Sequence, residues 1–360
     1  MTDKKPMSRR NFLAKAAAMS SLPVIAGCSG GAVGSNPLPA NINHTPDPNN
    51  PAPKTATAMP MRKLGNTDML VSVLTHGCAT QFNNLPDGEW QKSLDAALAG
   101  GVNLFDFASA YGTEPRAGAY FTPSIRSTVY LTTKLSSHDY DGAKAEFATS
   151  LQNMKTSYVD LLFCHALDST VSLDTLRNGV WKFLQECKKN GTARYIGFSS
   201  MSGPEISQQF LDPANGMAPD VCMMAISAGV SGTDYPPAAY ISNCLPLANA
   251  ANVGVIAMKV LRGMTGTASA EELLAYVLNK KDADGNDAVA TMTIGHTFGA
   301  TEVAANVALV EKVLGSGSGV LGSLYNYKDI ERRAARVTTP ETMCWMRDDY
   351  RDDGKDYVWA

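Results

Sequence analysis

The sequence has no CxxC pair and no cluster of cysteine with histidine. Its seven cysteines, Cys28, Cys78, Cys164, Cys187, Cys222, Cys244 and Cys344, stand singly, and only five histidines accompany them. That spacing excludes a structural zinc site of the finger or ribbon type. Charge is also scarce. Charged residues are 18% of the 360, the formal net charge is -3, and no Lys/Arg stripe occurs beyond the first fifteen residues, so no basic field is available to hold nucleic acid. What the chain does have is hydrophobic residues, 44% of the total, enough to bury one large core.

Residues 1–28 run from a basic stretch through mildly apolar small residues to a cysteine. Arg9 and Arg10 before Asn11, Phe12 and Leu13 resemble the twin-arginine signature of proteins exported already folded, and Ile25, Ala26 and Gly27 before Cys28 resemble a lipobox. The apolar run between them is shorter than the roughly 20 residues that span a bilayer. The expectation is an exported, periplasmic protein whose membrane contact is a lipid on Cys28. Residues 29–60, rich in Pro, Asn, Ala and Gly, cannot build a core and are expected to form an extended tether. A folded domain over 61–330 and a C-terminal extension over 331–360 complete the division.

From Met61 onward, apolar runs alternate with helical patterns at a spacing of about thirty residues, the length of a βα unit. Eight runs can be counted: VSVLTHG, VNLFDFA, VYLTTKL, VDLLFCHA, ARYIGFSS, DVCMMAIS, GVIAMKV and AVATMTIGH. Between them lie stretches such as TLRNGVWKFLQECKKNG, in which Leu176, Val180, Phe183, Leu184 and Cys187 share one helical face and Gly191 can close the end. Eight such units predict an α/β fold, a (β/α)8 TIM barrel, in preference to an open doubly wound sheet.

Asp106, Tyr111, Lys134 and His165 fall at or just after the ends of three successive runs. In a barrel of parallel strands those positions share one rim, where catalytic groups collect. Proton transfer to a carbonyl oxygen is a chemistry they could share. Taken singly, Asp106 and Lys134 could be a buried ion pair, Tyr111 a loop cap and His165 a core histidine; their joint order favours a site.

The same residues carry a resemblance to the aldo-keto reductase family over roughly residues 61 to 315. RKLGNTDMLVSVLTHG resembles that family's opening hairpin and first strand, GGVNLFDFASAYG its Asp and Tyr segment, VYLTTK its Lys strand, SLQNMKTSYVDLLFCH its His strand and GTARYIGFSS its fifth strand. The resemblance implies that a reduced nicotinamide, NADPH by family habit with NADH as the second choice, gives hydride to a small-molecule carbonyl. Tyr111 would be the general acid, with its pKa lowered by Lys134; Asp106 would hold Lys134 charged; His165 would orient the carbonyl.

Cofactor contacts implied by the resemblance are Ser199, Ser200 and Ser227 near the nicotinamide, and Lys259, Leu261 and Gly263 near the phosphates. Gly295, Thr297 and Asn306 would lie near the adenosine, with Glu302 a weaker candidate. The chain departs from the family where Ser200 replaces an Asn, Met223 a Gln, and Ile226 an aromatic, changes that would weaken cofactor binding, alter its pose or mark a subgroup with another stacking residue such as Phe298. No Arg or Lys in HTFGAT offers itself to a ribose 2′-phosphate. Two local patterns mislead. Gly317, Gly319 and Gly322 spell GxGxxG after a helix and not a strand, and Asp282, Asp284, Asn286 and Asp287 are expected to be a helix-to-strand turn and not a calcium loop. Cys78 ends the first strand near the expected pocket, with ordinary packing as its plainer reading.

The reading is therefore an exported oxidoreductase with no metal. Outside the cytoplasm it would need a route to recharge its cofactor, such as a redox partner that the sequence does not identify. The alternative is an exported non-catalytic nicotinamide-binding or interaction module on the same barrel.

Overall fold

Each of the eight apolar runs becomes a strand, because a strand covered on both faces needs continuous apolar sequence. The computed structural model describes residues 59–228, 237–261, 268–296, 298–314 and 328–330. Cys28, the export signal, the tether up to residue 58, Gly263, Thr297, the glycine pattern at 317–322, Cys344 and the C-terminal extension lie outside the described residues.

A short antiparallel hairpin, β1 (Met61–Lys63) and β2 (Leu70–Ser72), opens the domain. The barrel strands are β3 (Leu74–Gly77), β4 (Leu104–Asp106), β5 (Tyr130–Leu135), β6 (Val159–Cys164), β7 (Ala193–Ser200), β8 (Val221–Ala225), β9 (Gly254–Met258) and β10 (Thr291–Gly295). They pair in sequence order, all parallel, and β10 closes on β3 with Met292 opposite Leu74. Helices stand between them, including Glu89–Ala99, Tyr140–Met154, Val180–Asn190, Ala270–Leu278 and Ala300–Leu314. The chain is a (β/α)8 barrel. Among the described residues no helix is long and apolar enough to cross a membrane.

The hairpin covers the amino-terminal end of the barrel. Leu64, Met69 and Val71 pack there in one cluster with Leu104, Tyr130, Leu161, Phe163, Val221, Met223, Ile256 and Ala290. Closing that end leaves the opposite rim, at the strands' carboxyl ends, for chemistry. The turn into the plug requires Gly65: its φ is 55° and a Cβ there would stand 2.2 Å from Gly254 N. Gly65→Ala is expected to destabilise the fold by about 1–3 kcal/mol through strain and overpacking. Chemical denaturation would register this as a lower midpoint at constant slope; an unchanged midpoint would mean that the turn relaxes freely.

One helix differs from its sequence pattern. All five residues of the expected stripe, Leu176 to Cys187, are buried, and Gly191 ends the helix at φ 82°. However, the stretch is broken at Gly179 into Leu173–Asn178 and Val180–Asn190. A Cβ on Gly179 would lie 2.0 Å from His138 O, and Val180 N–H donates to that same carbonyl at 2.8 Å. The loop after β5 thus presses into the helix and breaks it. The stretch Lys281–Asp287 is a turn closed by a β-bridge, with Asp282 Oδ1 accepting from Asp284 N–H at 2.9 Å and Asn286 N–H at 2.8 Å.

Candidate functional site

Asp106 ends β4 and Lys134 lies in β5, its neighbour in the barrel, so both side chains meet at the carboxyl rim. Lys134 is fully buried and Asp106 4% exposed. Lys134 Nζ donates to Asp106 Oδ1 at 2.6 Å, to the Phe107 carbonyl at 2.8 Å and to Tyr111 Oη at 3.3 Å. An ammonium has three protons and no acceptor, so these three partners use it completely. Thr132 Oγ1 also donates to Asp106 Oδ1, at 2.7 Å. Tyr111 closes a single 3₁₀ turn, Ser109–Tyr111, just beyond β4. His165 follows β6 directly, and its ring meets that of Tyr111 edge to face, 5.5 Å between centroids at 81°. All four residues picked out from the sequence are brought together.

Tyr111 and His165 each keep an edge at the surface. Burial raises the Tyr111 pKa; the Lys134 charge pulls the other way, and burial wins. This corrects the expectation of a lowered value: the adjacent ammonium is there, but desolvation of a phenolate outweighs it. Burial alone would pull Lys134 down, yet Asp106 and Tyr111 together hold it above its ordinary value. Burial, then the charges of Lys134 and Lys259, drives His165 down to about 3. At neutral pH His165 is therefore uncharged.

Two further histidines share that state. His76 is lowered to about 3 by burial, and His296 is lowered well below its ordinary value by burial and by His76. In the unfolded chain all three titrate near 6.5. The unfolded state therefore binds more protons as pH falls through 6.5, so their contribution is complete above that pH and declines towards about 3. Thermal melting midpoints are expected to fall between pH 6.5 and 5, before the carboxylates titrate. A flat midpoint over that interval would contradict the neutral histidines.

The residues implied for cofactor contacts are placed unevenly. Ser199 Oγ accepts from Ala166 N–H at 2.9 Å, shaping the turn after His165, where Ala166 has φ 55°. Ser200 Oγ donates to the Leu167 carbonyl at 2.6 Å and meets Tyr240 Oη at 2.6 Å, so its hydroxyl is occupied by protein. Ser227, Met223 and Ile226 are buried beyond and within β8. Lys259 follows β9 in a left-handed conformation, φ 62°, and its charge reaches His165; Leu261 is half-buried two residues on. At Gly295 the missing Cβ lets Gln81 approach, since it would stand 2.9 Å from Gln81 Oε1. Phe298 is 53% exposed, and its N–H donates to Glu302 Oε2 at 3.0 Å.

Asn306 offers the clearest test of fit for a nucleotide. It is fully buried in the helix Ala300–Leu314, and neither its amide oxygen nor its amide nitrogen has a hydrogen-bond partner. A buried amide left so costs free energy unless a ligand completes it, and an adenine edge carries matching donors and acceptors. The residues present fit the group at this end.

Three contributors were missed in the sequence. Ser136 Oγ stands 3.5 Å from His165 Nδ1. Glu146 accepts from the loops on either side of the site, and Tyr240 Oη accepts from Gly203 N–H at 2.9 Å while engaging Ser200. Each bridges distant stretches, and no local pattern marks it. Cys78 is fully buried, with Sγ 3.3 Å from His76 Nδ1, and burial raises its pKa well above the ordinary thiol value. It is a packed thiol, and not a nucleophile.

Comparison with known proteins bears on the family and the fold. The model of the aldo/keto reductase family matches residues 74–312. An aldo-keto reductase of Mycolicibacterium smegmatis is 32% identical over 157 residues, 42% of this chain and 52% of that protein. One of Mycolicibacterium paratuberculosis is 33% identical over 141 residues, 38% of this chain and 48% of that protein. The chain thus spans about half the length of the curated relatives it matches. Among solved structures, an aldo-keto reductase from Bacillus halodurans in its holo form gives a TM-score of 0.61 at 20% identity, covering 82% of this chain and 100% of that one. At that identity the likeness is one of fold.

Proposed function

The chain belongs to the aldo/keto reductase family, and from that premise we propose that it reduces an aldehyde or ketone with a nicotinamide cofactor, or runs the reverse oxidation, with Tyr111 as proton donor. The nicotinamide, when bound, supplies the hydride. The observation that carries the reading is the commitment of all three Lys134 protons to Asp106, Phe107 and Tyr111 Oη. Tyr111 oxygen accepts from Lys134, so its own O–H is left to donate into the pocket.

A raised pKa suits that role. Tyr111 stays protonated at neutral pH and gives its proton only to a far stronger base, the alkoxide oxygen that develops as the carbonyl is reduced. The phenolate left behind lies against the Lys134 ammonium, which stabilises it. His165, being neutral, can donate one N–H without adding charge. With Nδ1 turned to Ser136, Nε2 is the nitrogen for the carbonyl oxygen, holding it beside the Tyr111 hydroxyl.

Asn306 would hold the adenine end. The preference for NADPH, with NADH the second choice, rests on family habit and not on these residues, because no lysine or arginine stands between Lys281 and Lys312 to meet a 2′-phosphate. Oxidation of NADPH and of NADH by the full-length chain against a panel of small carbonyls tests the reading. Carbonyl-dependent oxidation is expected; its absence despite tight cofactor binding would leave the second reading, an exported nicotinamide-binding or interaction module. That reading draws on the occupation of the Ser200 hydroxyl by Leu167 and Tyr240, which removes one holder of the nicotinamide.

Export through a twin-arginine route to the periplasm, with a lipid on Cys28, belongs to the same proposal. It is supported by the order of Arg9 and Arg10, apolar run and Cys28. Cys28→Ser is expected to move the protein from the membrane fraction to the soluble one. Equal membrane retention of both forms would sink the lipid anchor.

A further inference from the structure

Two loops that carry the site converge on one side chain outside it. Glu146 lies on the helix Tyr140–Met154, which follows β5. Its Oε1 accepts from Ser136 N–H at 2.9 Å, its Oε2 from Ser137 N–H at 2.9 Å, and its Oε1 also from the Ser109 hydroxyl. Ser109 opens the 3₁₀ turn that ends at Tyr111. Ser136 is the second residue after Lys134, and its hydroxyl is the group 3.5 Å from His165 Nδ1. A single carboxylate therefore joins the turn that aims Tyr111 to the segment behind Lys134 and His165.

Bonds to an ionised carboxylate are shorter and about twice as strong as neutral ones. We propose that Glu146 is a positioning residue of this site: it sets the Tyr111 hydroxyl and the His165 ring at the separation a carbonyl oxygen needs. It touches neither substrate nor cofactor and acts through Ser109 and Ser136. The proposal rests on the reductase reading, because only a reaction needing both groups at once gains from fixing the distance between them. A misplacement of about 1 Å in such a pair can lower turnover as much as 100-fold.

The fold does not depend on this link. Without Glu146, the Ser109 hydroxyl keeps an acceptor in the Lys134 carbonyl at 3.0 Å. The bond from Ser136 N–H is at the exposed surface and that from Ser137 is only partly buried, so water can replace the carboxylate. Loss of Glu146 should thus loosen the site and leave the barrel standing.

The test uses the full-length chain and three readouts: steady-state turnover of a small carbonyl, nicotinamide affinity by fluorescence titration, and the melting midpoint. Glu146→Ala is expected to lower kcat by about 10-fold to 100-fold, with cofactor affinity within about twofold of the parent and a similar midpoint. Glu146→Gln, which keeps one oxygen to accept a main-chain N–H, should fall between the two. Adding Ser109→Ala to Glu146→Ala should change kcat little, because both break one link. A kcat for Glu146→Ala within twofold of the parent overturns the proposal. So does a loss matched by cofactor affinity, or a double variant whose losses multiply. A parent chain that turns over no carbonyl at all overturns the reductase reading and this proposal with it, whereas an active parent with an equally active Glu146→Ala overturns this proposal alone.

Discussion

Tyr111→Phe is expected to reduce carbonyl-dependent turnover by about 10²–10⁴-fold and to bind the nicotinamide as tightly as the parent chain. The substitution removes one oxygen from a side chain whose ring has its own contacts. That ring packs edge to face on His165, and Lys134 Nζ lies 4.7 Å from its centroid; phenylalanine retains both. What disappears is the acceptor of the third Lys134 proton and, with it, the hydroxyl that this contact holds in place. His165 cannot stand in as the acid, because with its pKa lowered to about 3 it has an N–H for hydrogen bonding but no imidazolium proton to release at neutral pH. Steady-state and single-turnover kinetics on the same preparation, with a parallel cofactor titration, decide the matter. Turnover within tenfold of the parent would mean that water delivers the proton and that Tyr111 merely shapes the pocket.

The raised pKa of Tyr111 shows where sequence reasoning stops. That Lys134 would sit beside Tyr111 is legible, because both lie at the ends of adjacent strand-like runs and a parallel barrel brings such ends to one rim. How deeply the phenol is surrounded depends on loops after β4 and β5 whose course no periodicity encodes, and burial decides the direction of the shift. The strands themselves were readable for the opposite reason: a strand buried on both faces reads as a mostly apolar run, and β5 and β6 are buried throughout, interrupted only by Thr132, Thr133, Lys134 and Asp160. Polar residues stand out against such runs, but position along the strand gives them their meaning. Asp160, near the start of β6, is held by Arg126 and Arg194, each at 2.8 Å, and belongs to the floor, whereas Asp106 at the end of β4 belongs to the rim.

Ser200 and Gly179 mark a second limit. The replacement of an expected amide by Ser200 is visible in the sequence, but its engagement with Tyr240, forty residues on, follows only from the fold. The break at Gly179 likewise comes from His138 in another loop, while the local pattern of buried residues on both sides of it reads as one helix. Glu146 combines both difficulties: an acidic residue on an amphipathic helix is ordinarily a solvated one, and its three donors lie nine, ten and thirty-seven residues away.

The ion pair between Asp106 and Lys134 should separate stability from catalysis. Removing either partner leaves a charge enclosed in the barrel rim, and a broken buried pair destabilises by about 3–5 kcal/mol. Asp106→Leu should therefore lower the unfolding free energy by that amount. It should also abolish turnover, because without Asp106 burial pulls the Lys134 pKa down and the ammonium that stabilises the Tyr111 phenolate is lost. Lys134→Met is expected to be similarly unstable and inactive. The double variant, Asp106→Leu with Lys134→Met, has no buried charge and should regain most of the stability. A remainder of about 1–3 kcal/mol is expected because Thr132 Oγ1 loses the carboxylate it donates to. Its turnover should stay as low as that of the single variants. Denaturation midpoints and carbonyl-reduction rates on the four proteins give the answer. A double variant no more stable than either single one would mean that the pair is held in a network wider than its two charges. A double variant that regained activity would remove Lys134 from the chemistry, since a methionine side chain has nothing with which to stabilise a phenolate.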